Sequence, residues 1–279
     1  SPHRGSPMNY RHAFHAGNFA DCMKHALLVC LVQALMRKPA PVFVLDTHAG
    51  AGWYDLNSEP AIRTGEAGQG IRRLLEATSG PLGTYLGLVR QLGVYPGSPA
   101  LVRAMLRSQD RLACCELHPE DAAALRRHFA RDPQVAVHAR NGWEALRGLL
   151  PPQEKRGLVL IDPPYEDRQE FASVVNGLVQ AHARFRTGVL AAWYPIKHRA
   201  PVRDFLGAVR AGGIPDIVTA ELWMREPVDP ARLNGCGLLV VNPPYRFEQE
   251  AAPILAALID RLGGREVGEG WAVTRVVDE

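Results

Sequence analysis

The stretch VFVLDTHAGAG, residues 42–52, joins a short apolar run to a turn that contains two glycines. Its first part, Val42–Asp46, is apolar on successive positions, which is typical of a strand buried on both faces. Glycines directly after such a strand allow the backbone to approach a ligand closely. The stretch therefore predicts the first strand of a ligand-binding sheet. Because the third glycine of the dinucleotide fingerprint is missing, a turn without a binding role is the alternative interpretation.

Similar apolar runs recur along the chain and alternate with helical patterns. The remaining predicted strands are Leu112–Glu116, Val135–His138, Leu158–Asp162, Val189–Tyr194, Ile217–Trp223, Gly237–Val241 and Trp271–Val277. Asp21 is a good N-cap for a helix that runs to about Arg37. Further helices are predicted over Pro119–Phe129, Glu144–Leu150, Glu170–Ala183 and Pro201–Val209. This alternation predicts an α/β fold with a mostly parallel sheet of seven or eight strands and helices on both faces.

Two segments fall outside this alternation. Residues 53–110 separate the first two core strands by far more chain than a crossover needs, so we expect a helical insertion close to the site. Residues 1–7, SPHRGSP, precede a plausible start at Met8 and have no apolar core of a targeting signal. We expect them to be left over from an expression vector, with residues 8–279 forming a single domain.

Composition excludes several broad classes of protein. The chain is 47% hydrophobic and 22% charged, and no apolar run approaches the ~20 residues that span a bilayer. This excludes a membrane-spanning or disordered protein. The net charge of only +3 excludes a histone-like electrostatic binder, so any nucleic-acid contact must be a local patch. Five cysteines without a C-x-x-C pair predict a reduced, cytoplasmic protein.

Polar residues follow the second and third predicted strands. Glu116 ends the second strand, where its carboxylate is placed to accept two ribose hydroxyl groups. The alternative is an acid that is favoured near a helix N-terminus by the macrodipole. Asn141-Gly142 follows the third strand and could contact an adenine edge with a side-chain amide and a backbone group.

The strongest functional signal is Asp162-Pro163-Pro164-Tyr165 after the fourth strand. The prolines fix an extended backbone and remove two N–H donors, which leaves carbonyl acceptors. Asp162 and the Pro163 carbonyl can accept the two N–H groups of an exocyclic amine, while Tyr165 stacks on the base. The motif therefore predicts a site for a flat base with an amine. A similar sequence, NPPY, recurs at residues 242–245.

The N-terminal residues 10–25 are rich in histidine and cationic side chains. One interpretation is a metal site formed by His12, His15, Cys22 and His25, but their spacings fit none of the common zinc patterns. We therefore favour a loop that covers a ligand and contacts phosphate, and we expect no metal. Tyr10, Arg11, His12 and Lys24 are predicted at the substrate entrance.

Taken together, these motifs resemble the bacterial 23S ribosomal RNA adenine-N6 methyltransferase family, whose members are class I S-adenosylmethionine enzymes. The resemblance covers essentially everything after Met8. It lies in NYRHAFHAGNFADCMKH (9–25), LDTHAGAGWY (45–54), RTGE (63–66), YPGSP (95–99), ELHP (116–119) and LIDPPY (160–165). The opening segment and the DTHAGAG turn are distinctive of the family, whereas DPPY occurs in a wider group of amino-methyltransferases.

The resemblance implies a Rossmann-like class I fold, S-adenosylmethionine as methyl donor and 23S ribosomal RNA as partner, without a membrane or an obligate protein partner. It implies that Asp162 is catalytic and that Tyr10 reaches the substrate. The residues expected to line the donor site are His25, His48, Ser98, Glu116, Asn141, Gly142 and Asp162. The family commonly has Asp-Gly where this chain has Asn141-Gly142, so a side-chain oxygen is kept and a charge is lost. The alternatives are a DNA adenine methyltransferase with the same motif, or a nucleotide-binding protein without methyl transfer.

Only one of the two proline motifs can be the site. In the class I strand order the strand ending at Asp162 lies beside the strand ending at Asp46, so Asp162 meets the donor. By the same resemblance Gly237–Val241 is expected to be the lone antiparallel strand of a terminal hairpin. The NPPY segment should then emerge at the opposite edge of the sheet, roughly 17–20 Å away.

Overall fold

The computed structural model describes residue 12 and residues 15–57, 65–76, 80–167 and 169–279. The expectations for residues 1–7, Tyr10 and Arg11 lie outside these described residues.

The described residues form helices and strands in the following order. The helices are α1 (Phe19–Leu35), α2 (Glu66–Gln69), α3 (Ile71–Leu74), α4 (Gly83–Leu92), α5 (Ser98–Met105), α6 (Pro119–Phe129), α7 (Gly142–Gly148), α8 (Gln169–Arg184), α9 (Arg199–Ala211) and α10 (Phe247–Leu262). The strands are β1 (Val42–Asp46), β2 (Trp53–Tyr54), β3 (Tyr95–Pro96), β4 (Arg111–Cys115), β5 (Val135–His138), β6 (Arg156–Ile161), β7 (Val189–Ile196), β8 (Ile217–Trp223), β9 (Gly235–Val241) and β10 (Gly270–Val277). Among these helices, none has the length and apolar character needed to cross a membrane.

Within the described residues, eight strands form one sheet in the order β10-β8-β9-β7-β6-β1-β4-β5. The strands from β7 to β5 in this order pair in parallel. β9 lies antiparallel between β7 and β8. The predicted α/β fold with a mostly parallel sheet is therefore confirmed, and β6 lies beside β1 as expected.

The prediction that β9 would be the lone antiparallel strand of a terminal hairpin is wrong. β9 pairs with the preceding strand β8, and β10 is also antiparallel to β8, with Gly270 opposite Trp223. The reason lies in the direction of the chain. β9 ends at the amino edge of the parallel strands, so α10 returns the chain to the carboxyl edge and β10 must run back from there.

Each face of the sheet is covered by helices. Alternate residues of β1 point to opposite faces, so Val44 packs in one hydrophobic cluster and Phe43 and Leu45 in the other. The first cluster includes apolar residues of α1, α5, α6 and α10, and the second includes those of α7, α8 and α9. This two-sided burial accounts for the continuous apolar runs of the central strands.

The start of α1 differs from the prediction. The N-cap is Asn18, whose Oδ1 accepts a hydrogen bond from the Asp21 amide at 2.8 Å. Asn and Asp cap helices about equally well, so the pattern alone did not distinguish them. Asp21 instead lies within the first turn, where its carboxylate accepts from the Gly17 amide at 2.9 Å.

The described parts of residues 53–110 hold α2 to α5 and a small antiparallel pair, β2 with β3. The Gly97 amide donates to the Gly52 carbonyl at 2.7 Å, which fixes the start of α5 against the glycine turn. This contact brings Ser98 to the carboxyl end of β1.

Candidate active site

The carboxyl ends of the parallel strands open into a cavity of about 580 Å³, which is also walled by α1. The structure brings the described residues that were predicted for the site together around this cavity. They are His12, Lys24, His25, His48, Ser98, Glu116, Asn141, Gly142, Asp162, Pro163 and Tyr165. Tyr10 lies outside the described residues.

The glycine turn after β1 is tied to both neighbouring strands. The Thr47 amide donates to the Leu160 carbonyl at 3.1 Å, and the Ala49 amide donates to the Cys115 carbonyl at 2.9 Å. Gly50 has a φ of 69°, and a Cβ at this position would clash with the Tyr54 hydroxyl. The turn therefore requires glycine at this point, both for its backbone conformation and for space.

Glu116 lies directly beside this turn. Its Oε1 accepts from the Gly50 amide at 2.8 Å and its Oε2 accepts from the His118 amide at 2.7 Å. Burial raises the pKa of Glu116, and these two N–H bonds oppose that shift. The contact with His118, the N-cap of α6, agrees with a structural role at the helix start. Each carboxylate oxygen still has acceptor capacity for a ligand hydroxyl group.

Asn141 and Gly142 form the start of α7. The Asn141 Oδ1 accepts from the Trp143 amide at 2.8 Å, so Asn141 is the helix N-cap. A Cβ at Gly142 would clash with the Thr47 carbonyl oxygen, which explains the glycine. Capping requires a side-chain oxygen rather than a charge, so Asn can fill this position as Asp does.

Asp162 follows β6 and forms an ion pair with a side chain from α1. The Lys24 Nζ donates to the Asp162 Oδ2 at 2.5 Å. The two side chains are 8% and 15% exposed, respectively. The entrance position that we predicted for Lys24 is therefore replaced by a nearly buried contact with the expected catalytic carboxylate.

Tyr165 closes the DPPY motif in a strained conformation. It has a φ of 51°, which is rare for an aromatic residue. Its hydroxyl donates to the Trp193 carbonyl at 2.9 Å, and its ring packs edge-on against Phe171 and Trp193. These contacts hold the ring at the wall of the cavity.

Two buried aspartates of the site were missed by the sequence analysis. Asp46 accepts from the Ser98 hydroxyl at 2.5 Å through Oδ2, whereas its buried Oδ1 has no hydrogen bond to the described residues. Burial raises the pKa of Asp46 to about 7. Asp21 also lines the cavity and lies within α1. Asp46 ends a predicted strand, and this position was the one signal that could have indicated its place at the site.

Two histidines that line the cavity, His25 and His48, are buried. Burial lowers the pKa of His25 to about 3 and that of His48 to about 4. The His25 Nδ1 lies 2.8 Å from the Tyr95 hydroxyl, and the His48 Nδ1 lies 2.7 Å from the Thr47 Oγ1. Both imidazoles are therefore neutral at pH 7.

The residues of the alternative metal site make other contacts. His15 pairs with Glu66 at 2.9 Å, and the Cys22 thiol donates to the Gly17 carbonyl at 3.6 Å. In the described part of the chain, no group of three or more His, Cys, Asp or Glu residues is arranged to hold a metal ion.

The second proline motif lies at the other edge of the sheet. The Asn242 amide donates to the Asp216 carbonyl at 2.9 Å, just before β8 begins. The Asn242 Nδ2 donates to the carbonyls of Arg186 and Gly188, just before β7 begins. Asn242 therefore lies at the amino ends of β7 and β8, and the carboxyl end of β7 leads to the cavity.

Comparison with known proteins gives consistent results. The family model described as Ribosomal RNA large subunit methyltransferase D, RlmJ, matches residues 39–277. The Escherichia coli protein named ribosomal RNA large subunit methyltransferase J is 40% identical over 263 residues, covering 91% of this chain and 94% of that protein. The Haemophilus influenzae protein of the same name is 38% identical over 281 residues, covering 98% and 100%.

A solved structure also matches nearly the whole chain. The crystal structure of protein LPL1258 from Legionella pneumophila has a TM-score of 0.85 and 35% sequence identity, and the match covers 94% of this chain and 98% of that one. The sequence resemblance is thus confirmed by matches over most of the chain. The protein belongs to the RlmJ family of ribosomal RNA large subunit methyltransferases.

Proposed function

We propose that the protein transfers a methyl group from S-adenosylmethionine to N6 of an adenine in 23S ribosomal RNA. The observation that carries this proposal is the position of Asp162-Pro163-Pro164-Tyr165. The motif lies at the carboxyl end of β6, next to β1, on a cavity shared with Glu116. The names of the relatives support ribosomal RNA of the large subunit as the substrate.

The residues around the cavity fit the proposed donor. Its volume of about 580 Å³ lies within the range of small-molecule sites. Glu116 has acceptor capacity for ribose hydroxyl groups, and the unbonded Oδ1 of Asp46 adds a buried acceptor. With the neutral His25 and His48, these groups suit a ligand that carries positive charge. Ser98, Asn141 and Gly142 would complete the donor wall.

S-adenosylmethionine supplies a methyl group bonded to a positively charged sulfur. The N6 lone pair of adenine is delocalised into the ring, so the protein must localise it. Asp162 and the Pro163 carbonyl accept the two N–H groups and favour a pyramidal amine. Tyr165 provides an aromatic surface for the base. Catalysis then comes from orientation and electrostatics, and the proton leaves to Asp162 or to water.

The cavity also limits the form of the substrate. A base must enter it edge first to bring an exocyclic amine to Asp162. The target adenine must therefore be unpaired or flipped out of its helix. Of the residues proposed to contact it, His12 lines the cavity, and its ring contacts Tyr54 edge-on at 5.1 Å between centroids.

The proposal is tested by incubating total RNA from cells that lack the gene with the protein and radiolabelled S-adenosylmethionine. We expect N6-methyladenine in 23S RNA, identified by nuclease mapping, and none with the Asp162→Ala variant. A DNA oligonucleotide of the mapped sequence serves as the second substrate. Equal methylation of this DNA would contradict the RNA preference. Binding of NAD in place of S-adenosylmethionine, without methyl transfer, would overturn the proposed activity.

A further inference from the structure

Asp21 is a fully buried carboxylate that the proposed mechanism does not use. Its Oδ2 contacts the His12 Nε2 at 2.7 Å and accepts from the Gly17 amide at 2.9 Å. Its Oδ1 is also buried but accepts no hydrogen bond from the described residues. An unsatisfied buried acceptor is unfavourable, so a natural protein that retains one needs a reason for it.

A lysine ammonium and a histidine imidazole lie close to this oxygen. The Lys24 Nζ lies 3.3 Å from Oδ1, and the His25 Nε2 lies 3.7 Å from it. Burial opposes ionisation, but the interactions with His12, His25 and Lys24 outweigh it and hold the pKa of Asp21 well below its usual value. Asp21 is therefore an anion at neutral pH, next to an ammonium group that donates to another carboxylate.

Lys24 thus lies between two carboxylates and favours one of them. Its Nζ donates to the Asp162 Oδ2 at 2.5 Å, whereas the distance to the Asp21 Oδ1 is 3.3 Å. The ammonium is carried on a flexible four-carbon chain and has three donors. A shift of about 0.5 Å would bring it to an ordinary hydrogen-bond distance from the Asp21 Oδ1.

The proposed reaction requires Asp162 to accept from a neutral amine. A carboxylate that is tightly bonded to an ammonium is a weaker acceptor for such an amine, because the cation competes for the same negative charge. Resting on the proposed function, we infer that Asp21 is a positioning residue whose Oδ1 receives the Lys24 ammonium when an adenine amine binds Asp162. The Asp21 Oδ1, which accepts no hydrogen bond from the described residues, is then a second acceptor for the Lys24 ammonium.

The other oxygen of Asp21, Oδ2, fixes the orientation of the carboxylate before the adenine binds. Because Oδ2 is held by Gly17 and His12, the carboxylate cannot rotate Oδ1 away from Lys24. Lys24 can therefore move between two fixed acceptors without exposing an unpaired charge in a buried site. The Asp21 carboxylate also connects His12 and Gly17, which precede α1, to the ion pair of Lys24 with Asp162.

The inference is tested with a double-mutant cycle on Asp21→Asn and Lys24→Met. Asp21→Asn removes the second acceptor charge, so we expect kcat to fall roughly tenfold or more while KM for RNA and the affinity for S-adenosylmethionine stay within about twofold. In the Lys24→Met background the cation is absent, so Asp21→Asn should cause no further loss. Multiplicative losses in the double variant, or an unchanged kcat in Asp21→Asn, would overturn the inference.

Asp110→Asn is the matched control for loss of a buried aspartate. Asp110 accepts from the Val42 amide and from Arg107 at the amino edge of the sheet, away from the cavity. We expect this variant to lower the thermal midpoint and to leave kcat unchanged.

Lys24→Arg covers the case in which Asp21→Asn does not fold. The rigid fork of Arg can bridge both carboxylates at once, so kcat should fall although the charge is kept. A wild-type kcat in Lys24→Arg would overturn the inference. If the wild-type protein methylates no RNA, the proposed function fails and the inference fails with it. An active wild type with an equally active Asp21→Asn contradicts the inference alone.

Discussion

The protein contains nearly the same four residues twice, at opposite edges of one sheet. Asp162-Pro163-Pro164-Tyr165 follows the parallel strand β6 and lines the cavity. Asn242-Pro243-Pro244-Tyr245 follows the antiparallel strand β9 and joins the amino ends of β7 and β8. The local sequence is thus compatible with either role. The direction of the preceding strand decides which motif reaches the ligand.

The two motifs also differ in how their last residue is used. Tyr165 is fixed by its hydroxyl bond to the Trp193 carbonyl and by two neighbouring rings. Tyr245 is 84% exposed. The uncommon left-handed backbone falls on Tyr165 in the first motif and on Asn242 in the second, with φ values of 51° and 54°. Asn adopts this conformation readily, whereas an aromatic residue there indicates strain of the kind concentrated at functional sites.

The largest expected effect is a loss of kcat, and it should distinguish Asp162 from Asn242, the first residues of the two motifs. Asp162→Ala should lower kcat by ~10²–10⁴ because it removes the proposed acceptor of the adenine amine. Asn242→Ala should retain most of the activity. Both are measured by methyl transfer to RNA at a temperature where circular dichroism shows each variant to be folded.

A third variant makes the comparison sharper. Asn242→Asp in the Asp162→Ala background recreates the DPPY sequence at the amino edge, and we expect it to restore no activity. If Asn242→Ala were inactive and Asp162→Ala active, both the catalytic assignment and the argument from strand direction would be wrong.

The next effect compares carboxylates at the two edges. Glu116→Ala should weaken S-adenosylmethionine binding roughly tenfold or more, because a bond to a charged acceptor contributes ~1.5–3 kcal/mol. Glu154→Ala removes a carboxylate at the amino edge, where it pairs with Arg111, and should leave donor affinity unchanged. Isothermal titration calorimetry measures both. Equal affinities for Glu116→Ala and the wild type would remove Glu116 from the donor site.

How much of this arrangement the sequence predicts depends on the kind of feature. The apolar runs predicted β1, β5 and β8 with the observed bounds. For β1 the reason is that a strand buried on both faces is apolar along almost its whole length. The helix α10 was not predicted. It contains Pro253, which obscures a helical pattern. The direction of β10 depends on that helix, so it could not be predicted either.

The sequence predicted some residues of the site and missed others. Motif residues such as Glu116 and Asp162 end predicted strands, so their meeting at one edge follows from a parallel sheet. Asp21 and Asp46 were missed because the sequence pattern does not show whether a carboxylate will be buried, and for Asp46 the enclosing group comes from a distant part of the chain. For Asp46 the enclosing group is Ser98, which the insertion brings to β1.

A smaller effect is the pH dependence of stability, which we expect to differ between two buried aspartates, Asp46 at the carboxyl edge of the sheet and Asp110 at the amino edge. Burial raises the pKa of Asp46 to about 7, so between its unfolded pKa of about 3.9 and that value the folded state holds a proton that the unfolded state has lost. Its contribution to stability therefore falls as pH rises through this window. Asp110 has a lowered pKa: burial opposes this, but bonds from Arg107 and from backbone amides outweigh it. The contribution of Asp110 to the free energy of unfolding is lost only in acid, where its carboxylate takes up a proton.

We therefore expect the unfolding free energies of the two Asn variants, relative to the wild type, to change in opposite directions with pH. Relative to the wild type, Asp46→Asn should gain at most about 1.4 kcal/mol of unfolding free energy per pH unit between roughly pH 5 and pH 7. Asp110→Asn should be destabilised at neutral pH and less so in acid. Urea unfolding across this range measures both. His25 and His48 titrate in the same window but are present in every protein compared, so they cancel in the differences. A pH-independent difference for Asp46→Asn would contradict its raised pKa.

The smallest effect concerns the stability of the second motif. Asn242→Ala loses two side-chain bonds, to Arg186 at 2.7 Å and to Gly188 at 2.9 Å, and places Ala at a φ of 54°. We expect a loss of about 1–3 kcal/mol in urea unfolding. Asn242→Gly loses the same bonds without the backbone strain, so the difference between the two variants isolates the strain. Asn242→Asp keeps the backbone preference but turns a carboxylate toward two carbonyl oxygens, and should be the least stable of the three. If it instead matched the wild type, the side chain would not tie these strands together, and the structural role given to the amino-edge motif would have to be abandoned.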